Sequence, residues 1–424
     1  MNELLTKGIG HTEFKDSPVG KIPVGWEVKK FGECVERFYQ GINTVADKVV
    51  YERKGIPILQ AKHITSGYIS IGGAKFVSQV DFAIYKDKYN PRKGDVLLTN
   101  IGTIGKTVLV QEDEELLIAW NVFLIGVNDK VQSKFLNYYL QRLDGLNFYE
   151  NLMTGNATKF VNKTSLSEIE ILSPPLPEQQ KIASILTSVD EVIEKTQSQI
   201  NKLQDLKKGT MNELLTKGIG HTEFKDSPVG KIPVGWDIVE LGSLCGFTQG
   251  VQIPLSDTLR KETDGYIRYL YINDFSSDKK LRFVRNEYSE KIVTTKDLVM
   301  ANTGHTAGSV FRGKHGVLSN NAFKISVNEK IIPEYLYYYL TTDDYWIQIG
   351  RLFNSAGQPH VGHGNIAKLN FLCPSIYEQS EVVNILFSIE QNIEEKQRKL
   401  EQTQSLKKSL MQDLLTGKVR VTVH

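Results

Sequence analysis

Two long stretches of the chain space their apolar residues alternately three and four positions apart. Polar Thr196 and Lys396 interrupt the two stretches, whose apolar positions are Leu186, Val189, Ile193, Ile200 and Leu203 in the first and Leu386, Ile389, Ile393, Leu400 and Leu410 in the second. A 3.5-residue repeat with Glu, Lys and Gln elsewhere is typical of a coiled coil. Prolines before the first stretch and a glycine after its LLTK predict a helix from Pro177 to Thr216, about 60 Å long.

The chain repeats itself. Residues 1–26 recur letter for letter as 211–236, and residues 176–208 are similar to 376–408. The opening octet MNELLTKG returns a third time, more loosely, as MQDLLTGK at Met411. We therefore predict that the N-terminal segment lies near the end of the C-terminal helix, and that two half-molecules are related by a pseudo-twofold axis.

The stretches between the repeats share a skeleton but few surface residues. Both contain short Val, Ile, Tyr and Phe runs broken by Gly, Asn and Asp, which predicts several strands and one or two helices. The predicted fold class is α+β: two similar mixed α/β globular domains joined by two long antiparallel helices. The predicted segments are an N-terminal repeat (1–26), a first domain (27–173), a central helix (174–219), a repeated linker (220–236), a second domain (237–374) and a C-terminal helix with its tail (375–424).

Composition is that of an ordinary globular protein, which excludes collagen-like and wholly disordered chains. The chain has 424 residues, of which 40% are hydrophobic and 24% charged, and its net charge is only +2. DNA binding would therefore need basic residues concentrated on one face. Three scattered cysteines, no signal-peptide pattern and no apolar run of about 20 residues predict a cytoplasmic protein without a membrane span.

Three motifs resemble catalytic or ligand-binding signatures, but each departs from its signature in a way that argues against that function. NIGTIGKT, from Asn100 to Thr107, lacks the first glycine of a phosphate-binding loop, which favours a β-turn. SPPL at Ser173 resembles an amino-methyltransferase signature, but a leucine replaces the aromatic residue that would stack on the base. His360 and His363 form an HxxH pair in a glycine-rich predicted loop that the first half does not share. We predict no catalytic residue and no metal site.

Polar and basic residues remain in matched loops of the two domains. Arg and Lys suit guanine, Asn and Gln suit adenine, and Lys, Ser and Thr hold phosphates. Because these loops differ between the domains, we expect two different half-sites. The candidate DNA contacts are Lys62, His63, Asn100, Thr103, Lys106, Asn156, Thr158, Lys159 and Lys163 in the first domain, and Asn273, Asn302, His305, Thr306, Arg312, Lys314, His315, Gln358 and His360 in the second.

The repeated segments resemble one known family. PPLPEQQKIASIL from Pro174, its echo IYEQSEVVNIL from Ile376, the LKK and LLT helix ends, and GKIPVGW before each domain are similar to the DNA-specificity subunits of type I restriction–modification systems. The resemblance covers the whole chain. One departure is Tyr377, which stands where the first copy has Pro177 and predicts a less sharply turned start to the second helix.

The resemblance implies a non-catalytic subunit that binds double-stranded DNA. Each domain would be a target-recognition domain that reads half of a split, asymmetric site, and an antiparallel coiled coil would set the spacer and dock two methyltransferase (modification) subunits. Restriction subunits, which carry the endonuclease and translocase, would join that core. No cofactor is expected in this chain, whereas the partner subunits would use S-adenosylmethionine, ATP and Mg.

Charged residues beside the coiled-coil seam are the candidates for docking those partners: Glu191, Glu194, Lys195, Glu394, Glu395 and Lys396. Two other classes of protein remain open on the residues alone. One is a stand-alone nuclease or methyltransferase. The other is a scaffold with two binding heads for a ligand other than DNA, for instance a peptide or a sugar.

Overall fold

A computed structural model describes residues 13–155, 158–353 and 359–421. The chain divides into two compact units. The first comprises Met1–Gln197 together with Arg398–His424, and the second comprises Ser198–Gln397. Each unit therefore contains one globular domain, the beginning of one long helix and the end of the other.

The first unit is built on a four-stranded antiparallel sheet in the order β4-β10-β7-β8. A second sheet of three strands has the order β6-β5-β9, and two short pairs, β3-β11 and β1-β2, complete the unit. The strands are β1 (Phe14–Lys15), β2 (Ile22–Pro23), β3 (Glu27–Lys30), β4 (Val35–Gln40), β5 (Ile56–Leu59), β6 (Lys75–Val77), β7 (Val96–Thr99), β8 (Thr107–Leu109), β9 (Leu117–Ile118), β10 (Val122–Val127) and β11 (Glu170–Ser173).

Three helices lie within the first domain, and the two long helices complete the unit. They are α1 (Gln79–Tyr89), α2 (Ser133–Gly145), α3 (Lys163–Ser167), α4 (Leu176–Lys217), which enters this unit as far as Gln197, and the last part of α8 (Ile376–Leu414). One hydrophobic core joins the domain to both long helices, since Phe38 and Phe123 cluster with Leu186 of α4 and Leu414 of α8. Burying that shared apolar surface holds the domain on the helix pair.

The second unit repeats this plan with its own residues. The four-stranded sheet has the order β15-β22-β19-β20, and a second sheet has the order β17-β16-β21-β18. The strands are β12 (Phe224–Ser227), β13 (Gly230–Pro233), β14 (Asp237–Glu240), β15 (Cys245–Gln249), β16 (Tyr266–Leu270), β17 (Phe283–Arg285), β18 (Ile292–Val293), β19 (Leu298–Ala301), β20 (Val310–Arg312), β21 (Gly316–Leu318), β22 (Ala322–Val327) and β23 (Asn370–Cys373), and the helices are α5 (Pro333–Tyr339), α6 (Asp343–Gly350) and α7 (His363–Ile366). The prediction of two similar mixed domains is confirmed.

The long helices run antiparallel within each unit. In the first unit Lys407 Nζ lies 2.7 Å from Asp190 Oδ1, and in the second Lys207 Nζ lies 2.7 Å from Glu390 Oε1. The two ion pairs occupy equivalent positions of the repeat, so both units use the same register. The predicted seam positions are buried or half-buried, including Thr196, whose hydroxyl donates to the Val192 carbonyl at 2.7 Å.

A tyrosine of each domain fastens the domain to this helix pair. Tyr138 Oη donates to Asp190 Oδ2 at 2.8 Å, and Tyr338 Oη donates to Glu390 Oε2 at 2.9 Å. Burial alone would raise the pKa of the Glu390 carboxyl, but hydrogen bonds from Lys207 and Tyr338 and the nearby Lys207 and Arg312 charges hold that pKa below its usual value. Glu390 therefore stays ionised at neutral pH, which keeps its ion pairs intact.

A buried glutamine fixes the start of each long helix. Gln379 Oε1 accepts from Ile332 N at 2.8 Å, and its Nε2 donates to the Pro374 and Lys330 carbonyls. Gln179 makes the same contacts in the first unit. The helices begin at the equivalent residues Leu176 and Ile376, so Tyr377 in place of proline leaves the start of the second helix unchanged.

The ends of the long helices lie beside the tryptophans of the repeated segment. Trp26 Nε1 donates to Glu178 Oε2 at 3.0 Å, and a methyl group on Gly417 would come within 2.6 Å of Pro23 Cγ. The close approach of Pro23 thus requires glycine at the end of α8. Residues 1–12, which carry the first MNELLTKG, lie outside the described residues. Among the described residues, no helix combines the length and apolarity that crossing a membrane requires.

Candidate nucleic-acid interface

Three loops of the first domain meet at one end of its four-stranded sheet. Asn100 N donates to the Asn121 carbonyl at 3.2 Å, and Val161 N donates to the Asn100 carbonyl at 2.9 Å. Ala61 N donates to Asn121 Oδ1 at 3.2 Å. These bonds bring the loops around residues 60–63, 100–106 and 158–163 together.

The second domain repeats the same hydrogen bonds. Asn302 N donates to the Asn321 carbonyl at 3.0 Å, and Val361 N donates to the Asn302 carbonyl at 2.8 Å. Asn302 Nδ2 donates to the Asn320 carbonyl at 3.1 Å. One scaffold therefore presents the corresponding loops in both domains, and the residues that it presents differ.

Three of the predicted contact residues belong to the scaffold instead. Asn100 is fully buried, Asn302 is 5% exposed and His63 is 3% exposed. His63 Nδ1 accepts from Gln60 N at 2.8 Å, and burial lowers the pKa of its imidazole. A neutral, buried ring thus holds the turn that follows β5. Contact between these three side chains and DNA stays a prediction.

The other predicted contacts of the first domain divide into two groups. The exposed residues are Lys62, Thr103, Thr158, Lys159 and Lys163. Lys163 Nζ lies 5.1 Å from the centre of the Phe38 ring, within cation–π range. Lys106, in contrast, pairs with Asp144 Oδ2 at 2.6 Å, so a carboxylate already neutralises it. Asn156 lies outside the described residues.

The NIGTIGKT segment connects two antiparallel strands. Leu98 of β7 pairs with Thr107 of β8, so the segment is the connection of a hairpin. Gly105 has φ +89° and lies so close to the Tyr149 ring that a side chain there would clash. The predicted turn is confirmed, and its glycines serve the backbone of the hairpin.

A basic cleft of about 730 Å³ opens in the second domain. Three predicted contacts line it: Asn273, His305 and Thr306. Thr303 and the scaffold residue Asn321, which are not among the predicted contacts, line it as well. Four cations that the sequence did not single out also line it: Arg260, Lys279, Lys280 and Arg282. The signal for them was present in the sequence as two basic runs, RKE from Arg260 and DKKLR from Asp278.

The charge in this cleft is strongly positive. Asp274 is the single carboxylate among the described residues that line it, and it is only 4% exposed. Its Oδ2 accepts from Tyr271 N at 2.7 Å, and its Oδ1 lies 3.3 Å from Arg268 Nη2. Asp274 is thus engaged by partners within the fold, so the four cations that line the cleft can attract phosphate.

Three further predicted contacts of the second domain do not line the cleft. Arg312 Nη2 lies 3.1 Å from Glu390 Oε2 of α8, which places Arg312 on the helix side of the domain. Lys314 Nζ pairs with Asp278 and donates to the Asp274 carbonyl. His315 is exposed in the same loop. Arg312 and Lys314 therefore have acidic partners within the fold, which residue type alone does not reveal. Their contact with DNA stays a prediction.

The two histidines of the HxxH pair have different structural surroundings. His360 Nδ1 is 3.3 Å from Thr303 Oγ1, beside the cleft, whereas His363 begins the short helix α7 and packs near the Phe323 ring. The loop predicted for His363 is therefore wrong. In the part of the chain that the structure describes, no three His, Cys, Asp or Glu residues are grouped as a metal site. Gln358 lies outside the described residues.

Trp120 is a contact candidate of the first domain that the sequence reading missed. Its ring is 46% exposed, and Gln40 Nε2 donates to its carbonyl at 2.9 Å. The equivalent residue of the second domain is Asn320, which accepts from Gln249 in the same way. An aromatic ring in one domain and an amide in the other would contact different base edges.

The predicted partner-docking residues are less alike in the two helices than expected. Glu191, Glu194, Lys195, Glu394 and Glu395 are exposed, but Lys396 is half-buried along the seam. Of these positions only Glu194 and Glu394 carry the same residue in both copies. Identical exposed residues do occur further along, at Gln204 and Gln404, Leu206 and Leu406, and Lys208 and Lys408.

Comparison with known proteins places these features in a family. The model of the type I restriction modification DNA specificity domain matches the chain twice, at residues 23–205 and 233–403. A Methanocaldococcus jannaschii chain assigned as the MjaX type I restriction enzyme specificity subunit is 29% identical over 430 residues, which cover 96% of this chain and 97% of that one. The MjaVIII specificity subunit of the same organism is 26% identical, with 96% of each chain covered.

Solved structures share the fold. The type I restriction–modification S subunit from M. genitalium has 16% identity and a TM-score of 0.56, with 92% of this chain and 96% of that chain covered. A chain from a type I system studied for complex assembly and conformational transition has 16% identity, a TM-score of 0.60 and coverage of 94% and 99%. This protein belongs to the type I restriction–modification DNA specificity family, as a DNA-recognition subunit without a catalytic role.

Proposed function

We propose that the two domains read two different halves of a split site in double-stranded DNA. The observation that carries the proposal is a common scaffold with different exposed side chains. Lys62 corresponds to Asn273, Trp120 to Asn320, and Phe160 to His360. Identical domains would read a palindrome, whereas these domains present different hydrogen-bonding groups to the base edges.

The chemistry of the two surfaces suggests how each would bind. In the second domain Arg260, Lys279 and Lys280 would hold phosphates, while Asn273 and His305 would contact base edges. In the first domain Lys62, Thr158, Lys159 and Lys163 would hold phosphates, and Trp120 would contact a thymine methyl group or stack on a base.

The long helices would set the distance between the half-sites and dock two modification subunits. Two identical partners need two equivalent surfaces, and the identical exposed residues around Leu206 and Leu406 are equivalent by the repeat. Leu206 is 54% exposed and Leu406 is 52% exposed, so each offers apolar area to a partner. Restriction subunits would join this core. S-adenosylmethionine, ATP and Mg would serve those partners and not this chain.

We also place the protein in the cytoplasm. Cys34, Cys245 and Cys373 are free thiols, which suits a reducing compartment. Burial raises the pKa of Cys34 to about 11 and that of Cys245 to about 12, so both stay protonated and unreactive at neutral pH.

Replacing Lys62 and Lys163 with alanine tests the role of the first domain. Each phosphate contact contributes about 5-fold in affinity at ~0.15 M salt, so the double variant should bind site DNA about 25-fold more weakly. The salt slope of log K should become shallower by about 2. A filter-binding series over salt concentration measures both.

Lys106→Ala is the matched control, because Lys106 is in the same domain but already paired with Asp144. We expect it to bind DNA within about 2-fold of the wild type. Unchanged DNA affinity and salt slope in the double variant would remove Lys62 and Lys163 from the interface. An equal loss in the control would show that Lys106 contacts DNA despite its ion pair with Asp144.

A further inference from the structure

Arg312 of the second domain fills a position between the domain and the helix pair. Its guanidinium lies 4.6 Å from the centre of the Tyr337 ring, and its Nη2 lies 3.1 Å from Glu390 Oε2 and 3.5 Å from Tyr338 Oη. The position thus offers an aromatic face, a carboxylate and a phenol to one planar cation. Stacking and hydrogen bonding of this kind suit a guanidinium better than an ammonium group.

The equivalent position of the first domain lacks the arginine, although Lys407 Nζ lies 2.7 Å from Asp190 Oδ1 beside it. Arg312 is the strand partner of Leu298 in β19, and Leu109 is the strand partner of Val96 in β7, so Leu109 stands where the arginine stands. A cleft of about 600 Å³ opens there. Tyr138, Asp190 and Leu109 line it.

A buried amide in this cleft lacks a hydrogen-bond donor. Asn137 lines the cleft, is 8% exposed, and corresponds to Tyr337 in the repeat. Its Oδ1 accepts no hydrogen bond from any residue that the structure describes. Buried acceptors are paired in nearly all native structures, and an unpaired one is costly.

The cleft is also strongly acidic. Its described lining includes one lysine, Lys134, against the carboxylates Glu112, Glu114, Asp190, Glu191 and Glu194. Tyr68, which is 62% exposed, adds an aromatic surface. The cleft therefore supplies acceptors and an aromatic ring to a ligand that has only donors. Lysine and arginine both have only donors, but the planar guanidinium of arginine can also stack on the ring and donate to several acceptors at once.

We propose that this cleft receives an arginine side chain from a basic segment of a partner protein, in the place that Arg312 fills in the second domain. In the second domain Arg312 occupies the equivalent position. The basic residues Lys314 and His315 also stand there in place of the acidic loop that carries Glu112 and Glu114 in the first domain. The chain would thus bind this segment once, although its helices are duplicated. Such a site would make one side of the assembly different from the other.

A labelled basic peptide tests the proposal on the full chain. The probe is a fluorescein-labelled peptide with one arginine flanked by two lysines, and its counterparts carry citrulline or lysine instead of the arginine. We expect fluorescence anisotropy to give one bound arginine peptide per chain, with binding at least about tenfold tighter than either counterpart. Equal binding of the three peptides would overturn the proposal, because the cleft would then be a general acidic surface.

Two variants locate the peptide. Leu109→Arg places the chain's own guanidinium in the cleft, as in the second domain, and should reduce peptide affinity about tenfold while DNA affinity stays unchanged. The double variant E191Q/E194Q leaves the cleft open and should weaken binding at least about threefold. E394Q/E395Q, with the same exposed residue type on the other long helix, is the matched control and should bind as the wild type does. Wild-type affinity in Leu109→Arg and in E191Q/E194Q would contradict the assignment.

Discussion

Replacing Arg260, Lys279 and Lys280 together with alanine is expected to weaken binding of site DNA about 100-fold at ~0.15 M salt. The three side chains are exposed and line the basic cleft of the second domain. Each lost phosphate contact should cost about 5-fold and flatten the salt slope by about 0.9. The triple variant should therefore show a slope shallower by about 2.7 in a salt series.

The matched control removes three exposed cations of the same unit that do not line the cleft, Lys225, Lys296 and Lys330. It changes the net charge by the same amount, so it separates local phosphate contact from general attraction. We expect a loss of less than about 3-fold in the control. A control that loses as much as the triple variant would show that the cleft is not where DNA binds.

Replacing Trp236 with alanine is expected to lower the free energy of unfolding of the second unit by about 3–5 kcal/mol. Trp236 is 1% exposed, and its Nε1 donates to Glu378 Oε2 at 2.9 Å. The substitution removes the largest side chain of that core and leaves the Glu378 carboxylate without one of its donors, although His221 Nε2 remains 2.8 Å away. Trp236→Phe keeps most of the ring volume and should cost less than half as much.

The equivalent substitution in the first unit supplies the comparison. Trp26 is also 1% exposed and makes the matching hydrogen bond to Glu178. Because the two tryptophans belong to separate cores, hydrogen exchange should rise mainly in 198–397 for Trp236→Ala and mainly in 13–197 for Trp26→Ala. Exchange that rises equally throughout the chain in both variants would contradict two separately stabilised units.

The sequence predicts the architecture well because its main signals are local or repeated. The 3.5-residue spacing marks the seam without knowledge of the partner, and the copied segments place equivalent elements in both halves. The equivalence of the polar loops in the two domains also follows from the repeat, since Asn100 and Asn302 occupy matching turns after matching strands. The prediction that no nucleotide loop occurs at Asn100 rests on a missing glycine and agrees with the hairpin found there.

Individual side chains are harder to predict, because tertiary contacts decide their roles. Lys106 and Arg312 are basic, yet Asp144 and Glu390 pair with them across the fold. His63 is polar, yet its ring is buried and accepts a hydrogen bond from Gln60 N that holds a turn. Lys279 and Lys280 were missed for a different reason: the corresponding loop of the first half, residues 64–74, has no basic residue, so the comparison of copies gives these lysines no weight.

The most direct test of the central claim, that each domain reads its own half-site, is a domain exchange read by sequencing methylated DNA. Residues 27–173 would be replaced by the corresponding region of a related specificity subunit, in cells that carry the full set of partner genes. We predict a bipartite, asymmetric motif for the wild type, and for the chimera a motif in which one half changes while the other half and the spacer stay the same. A continuous or palindromic motif, or a change in both halves, would contradict the claim.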